Sequence, residues 1–78
     1  MQKEVVVVIN TFDKARRFVD VANKFESEID ISENRYVVDA KSELGIYSLD
    51  LTKPLKVKIY SNNLLEIHRF NKEMKEFM

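Results

Sequence analysis

The chain has 78 residues, with 13 Lys and Arg against 13 Asp and Glu, and no Cys. That length makes one domain, residues 1–78, and the charge balance excludes a generally basic nucleic-acid clamp, whose affinity comes from neutralising many phosphates. Without thiols there are no disulfides, thiolate metal sites or Cys nucleophiles, and a hydrophobic content of 45% excludes charge-driven disorder.

The first element is the run Val5-Val6-Val7-Val8-Ile9. It is short and wholly β-branched, so it reads as a strand with two apolar faces. It is far shorter than the roughly 20 residues that cross a bilayer. It also lacks a cationic leader and a small-residue cleavage site, so a cytoplasmic protein without membrane insertion is expected. Asn10 and Thr11 are cap residues, and Ala15, Phe18, Val19, Ala22 and Phe25 then recur at helical spacing. Lys14, Arg16 and Arg17 fall mostly off that stripe and form a small cationic cluster.

Ile29-Asp30-Ile31 alternates, Ser32-Glu33-Asn34 supplies turn chemistry, and Tyr36-Val37-Val38 returns as the second strand of a hairpin. Asn34 is the residue there that tolerates a left-handed backbone. Asp30 and Asp39 fall on facing strands and are expected to be a solvated pair. Residues 42–49 read as a short helix with Ser42 at its N-cap and Leu44 and Tyr47 on one side; Lys53-Pro54 stops it. Leu55, Val57 and Ile59 alternate with Lys56, Lys58 and Tyr60, the cleanest strand in the chain. Asn62 or Asn63 caps a last helix whose stripe is Leu64, Ile67, Phe70, Met74, Phe77 and Met78. The order β-α-β-β-α-β-α implies an α+β fold, a four-stranded antiparallel sheet with helices on one face.

Little in this pattern carries chemistry of its own. A lone His, His68, cannot build a metal site without other ligands at motif spacing, and one Gly cannot build a phosphate loop. No metal and no cofactor is expected, nor an enzyme. Only Tyr36 and Tyr60 are placed to stack bases on an open sheet, so direct nucleic-acid binding is not expected.

The segment Lys41-Ser42-Glu43-Leu44-Gly45-Ile46-Tyr47-Ser48-Leu49 resembles HPr, the small phosphocarrier of the bacterial sugar phosphotransferase system. Lys41, Ser42, Gly45, Ser48 and Leu49 match the family's Lys-Ser segment, and Lys24 to Ile29 and Val57, Ile59 and Tyr60 are also similar to it. The resemblance runs from Val19 to Tyr60 and implies the HPr-like open-faced β-sandwich with strand order 1-4-2-3. A ferredoxin-like ligand- or RNA-binding domain, the alternative, has order 4-1-3-2.

In that family the phosphate is carried by a His that opens the first helix within a Gly-(Ile/Leu)-His-Ala-Arg-Pro-Ala segment. Helical register puts Thr11 in its place; matching the triplet Lys14-Ala15-Arg16 puts Lys14 there. Neither side chain replaces imidazole without an activating base, so the resemblance implies loss of the usual phosphocarrier route. Ser42 falls on the family's regulatory Ser. This is similar to catabolite-repression HPr-like proteins, which keep the Ser, lack the His and bind a transcriptional regulator. The implied role is regulation or protein interaction, with an HPr kinase/phosphorylase or a transcriptional regulator as partner and with Ser42, Arg16, Arg17, Leu44 and Tyr47 as the contact surface. Glu43 departs from the pattern and would repel a phosphoserine beside it. A phosphocarrier using Thr11 or His68 is the competing function. In the implied sheet order the Val-rich first strand lies at an edge, so a homodimer through residues 5–9 is expected.

Overall fold

The computed structural model describes residues 2–78. Its elements are β1 (Gln2–Val7), α1 (Phe12–Ala22), β2 (Glu28–Glu33), β3 (Tyr36–Asp39), α2 (Glu43–Tyr47), β4 (Leu55–Tyr60) and α3 (Leu64–Met74), followed by a 3-10 turn (Lys75–Phe77). The four strands are antiparallel in the order β1-β4-β2-β3. This is the HPr-like order and excludes the ferredoxin-like alternative.

The alternating strand reads as expected. Leu55, Val57 and Ile59 are buried while Lys56 and Tyr60 face outward, opposite Val6 and Gln2 of β1. From β2, Ile29 and Ile31 join them in the core, and α1 adds Ala15, Phe18, Val19 and Ala22. Phe18 meets Phe77 edge-on at 5.3 Å and Phe25 meets Phe70 at 6.1 Å, which tie α1 and the segment after it to the end of the chain.

Three expectations are corrected. The first strand is Gln2–Val7 rather than residues 5–9. Ile9 is buried but outside the sheet, because Val8 N–H donates to the Phe77 carbonyl (2.7 Å) and Asn10 N–H to the Leu51 carbonyl (2.9 Å). The second helix is Glu43–Tyr47, shorter than residues 42–49; Ser48 Oγ bonds back to the Gly45 carbonyl and ends it. Leu64 of α3 and Met78 beyond the 3-10 turn belong to no buried stripe: they are 67% and 65% exposed, while Glu66 is buried with Phe70 and Met74. Asn63 rather than Asn62 is the cap, its Oδ1 accepting from Leu65 and Glu66 N–H. Asn34 does adopt a positive φ of 52° in the hairpin turn.

The single glycine lies on α2 against Val38 of β3. A Cβ on Gly45 would stand 3.3 Å from Val38 Cβ and 3.4 Å from Ser42 Oγ, so a side chain there would crowd β3.

Candidate functional site

The start of α1 is made by a two-residue corner. Asn10 takes a positive φ of 46°, a conformation Asn tolerates better than most residues, and this turns the chain out of the sheet. Thr11, in extended geometry (φ −138°, ψ 156°), is the N-cap, and its Oγ1 accepts from Lys14 N–H at 3.1 Å. Among the described residues that is the only hydrogen bond of this hydroxyl; no imidazole or carboxylate touches it. The Lys14 ammonium turns back to the Val8 carbonyl (3.2 Å) and helps hold the same corner.

Ser42 caps α2 in the same way, accepting from Gly45 N–H at 3.1 Å. Its own N–H goes to the Asp39 carbonyl (3.0 Å). Lys41 beside it is fixed: the ammonium donates to the Phe25 carbonyl at 2.6 Å, and the Asn23 amide donates to the Lys41 carbonyl. The turn before α2 is thereby fastened to the end of α1.

The start of α1 meets the last residue of α2 through aromatic side chains. The Phe12 and Tyr47 rings pack edge-to-face at 5.4 Å, although Phe12 is 71% exposed. Tyr47 Oη donates to Glu43 Oε1 at 2.7 Å. That bond raises the phenol's pKa, and the Arg16 guanidinium works against it, which puts Arg16 within electrostatic reach of Tyr47. Leu44, 83% exposed, projects from α2 next to this pair. An open cleft of about 340 Å³ beside this pair is lined by Phe12, Tyr47, Leu49 and Leu51, with Asn10, Thr11 and Asp50 among its polar members.

Of the residues singled out in the sequence, Arg16, Leu44 and Tyr47 lie on α1 and α2 and Thr11 and Ser42 cap them; Phe12 and Tyr47 join the start of α1 to the end of α2. Arg17 is engaged elsewhere, in an ion pair with Glu76 at 3.3 Å. His68 is exposed on α3. Asp30 and Asp39 do pair across β2 and β3, but each carboxylate has its own donor, Tyr60 Oη (3.0 Å) and Lys41 N–H (2.9 Å). Among the described residues no three His, Cys, Asp or Glu side chains converge on a point that could hold a metal, and no helix is long and apolar enough to cross a membrane.

Two residues were missed by sequence reasoning. Phe12 gives no pattern signal, since its partner Tyr47 lies on another helix. Glu66 takes a slot in a hydrophobic stripe. Its Oε2 accepts from Glu26 N–H (3.1 Å) and Ser27 N–H (3.2 Å); its Oε1 accepts from Ser61 Oγ (2.6 Å) and, very closely, from Ser27 Oγ. These bonds, Ser27 first and then Ser61, hold its pKa down to about 2 against the burial that would raise it. The available signal was its place three residues after the cap Asn63, a common position for an acid.

A small four-stranded sheet in this order, with α1 and α2 packed together, is the architecture of a phosphotransferase-system carrier domain. A family model described as the PTS HPr component phosphorylation site matches residues 12–66, and the chain belongs to the HPr family. Among solved structures it is similar to HPr-C-His from Thermoanaerobacter tengcongensis, with 29% identity, a TM-score of 0.73, and coverage of 96% of this chain and 90% of that one. It shares its fold with a phosphocarrier protein HPr from Bacillus anthracis str. Ames, at 19% identity, a TM-score of 0.75, and coverage of 99% and 98%. No curated protein matches by sequence.

Proposed function

We propose that this HPr-family protein is a regulatory or protein-interaction module rather than a His phosphocarrier or an enzyme. The observation that carries the reading is the side chain at the N-cap of α1. It is Thr11, whose hydroxyl is occupied by the Lys14 amide and has no base beside it. An alcohol in that state is a poor phosphoryl acceptor. Lys14, the other candidate for the family His position, has its ammonium on the Val8 carbonyl.

The interaction surface is the start of α1 together with α2, with Leu44, Tyr47 and Arg16 as contacts; Arg17 would join it by leaving its ion pair with Glu76. Exposed apolar anchors beside an Arg are the usual composition of an interface centre. Ser42 is the point of control. A phosphate there would stand at the N-cap of α2, favoured by the free N–H groups and opposed by Glu43. The partner is an HPr kinase/phosphorylase or a transcriptional regulator in the cytoplasm, and β1, an edge strand with Val6 50% exposed, favours a homodimer.

The test is incubation with HPr kinase and ATP, comparing the protein with Ser42→Ala. Label that depends on Ser42 is expected, and its absence removes Ser42 from the reading. A parallel incubation with phosphoenolpyruvate and enzyme I addresses the carrier alternative through Thr11 or His68. Acid-labile label on the protein would overturn the proposal.

A further inference from the structure

Helix α3 turns Glu66, Phe70 and Met74 inward. Its outward arc begins with Leu64 and Leu65, 67% and 78% exposed, and continues through the exposed His68, Arg69, Lys72 and Lys75. Helical spacing stacks Leu64 over His68 and Lys72, and Leu65 over Arg69. The core does not require either leucine, yet both stand in water at the head of a cationic ridge.

The cations of the ridge are unopposed. The Arg69 guanidinium lies over the Phe25 ring, 5.1 Å from its centroid, and holds no carboxylate. Among the described residues no ion pair reaches Lys72 or Lys75. Glu76, the nearest exposed acid in sequence, is engaged by Arg17. Glu66 is spent on its serines, and Glu73 is half-buried at the flank.

We infer that the outward face of α3 docks an acidic, leucine-bearing segment of another protein, its carboxylates against Arg69, Lys72 and Lys75 and its apolar side chain against Leu64 and Leu65. A second copy of this chain meeting face to face would set like charges together. A planar anionic lipid surface fits less well. Leu65 and Arg69 line an open groove of about 790 Å³, with Lys24, Glu26 and the serine-bound Glu66 also in its walls, so its acids leave it to the partner's apolar side chain, and a groove admits a side chain where a plane stays outside. Arg69 is already held over Phe25, so docking costs it little freedom. The face adjoins the far end of α1 from Thr11, about 16 Å along the helix, and does not rest on the α1–α2 reading.

The experiment uses a fluorescein-labelled peptide rich in Glu and Leu, with anisotropy as readout. Controls are a Lys and Leu peptide and phosphatidylcholine/phosphatidylserine vesicles. Two double variants, Leu64→Ser with Leu65→Ser and Lys72→Glu with Lys75→Glu, alter exposed side chains only, and circular dichroism confirms that they fold. Saturable binding of the acidic peptide is expected, weakened about tenfold or more in each double variant, weakened by salt, and unchanged in Leu44→Ser. No saturation up to about 1 mM, unchanged binding in either double variant, or tighter binding to the vesicles than to the peptide would overturn the inference.

Discussion

Replacing Glu66 by Gln keeps the shape of the side chain and removes its charge. The carboxylate accepts two backbone N–H bonds and two hydroxyl bonds, and its pKa falls from 4.5 to about 2. That difference corresponds to about 3 kcal/mol of preference for the charged form. The open groove beside it lets water screen the charge, so about 1–2 kcal/mol is the working figure. Because the folded pKa is depressed, this stability is present in full above about 4.5, the unfolded value, and is lost as pH falls toward 2. Urea unfolding followed by circular dichroism, at steps from pH 7 to pH 2.5, reads it directly. With a slope of about 1 kcal/mol per molar urea, the variant's midpoint should lie about 1–2 M lower at pH 7. The gap should close as the solution becomes acid. Other carboxylates titrate in both proteins and cancel in the comparison. A gap at pH 3 as wide as at pH 7 would refute the reasoning, since it would mean that shape, not charge, is what the serines and amides hold.

Other perturbations have signs that follow from local geometry. Asn10→Gly relieves a positive φ of 46° and should raise stability by up to about 1 kcal/mol, read as a rise in melting temperature of a few degrees. Ser42→Ala removes the N-cap of α2 and should cost about 1 kcal/mol in thermal melts, separately from its effect on any label. Gly45→Ala gains helix propensity but sets a methyl 3.3 Å from Val38 Cβ, a contact relieved only by moving β3 or α2 a few tenths of an ångström, so a net loss in melting temperature is expected. Phe77→Ala empties a site 1% exposed against Phe18 and should cost about 3–5 kcal/mol, enough to leave much of the protein unfolded by circular dichroism.

What the sequence could carry depended on range. Leu55, Val57 and Ile59 alternate against lysines, so β4 was legible with its facing. Ala15, Phe18, Val19 and Ala22 likewise declared the buried side of α1. The run of valines declared a strand but not its ends, because the ends depend on bonds from Val8 to Phe77 and from Asn10 to Leu51. In α3 two hydrophobic phases compete, one through Leu64 and one through Phe70, and what orients the helix is a carboxylate meeting Ser27 and Ser61, which no local pattern reveals. The caps Thr11 and Ser42 were legible for the same local reason that makes them caps. The Phe12–Tyr47 contact, which joins the start of α1 to the end of α2, belongs to tertiary packing.

The position of β1 beside β4 alone also has a consequence for how the chain reaches this structure. Its strand partners are residues 55–60, and the amide that follows it, Val8 N–H, is met only by Phe77. The β2–β3 hairpin can form from neighbours, but the valine strand must wait for most of the chain, a closure with a large loop-entropy cost. Until then the valines of β1 stand unpaired ahead of α1, so refolding at high concentration is the condition under which this small domain is most exposed to self-association.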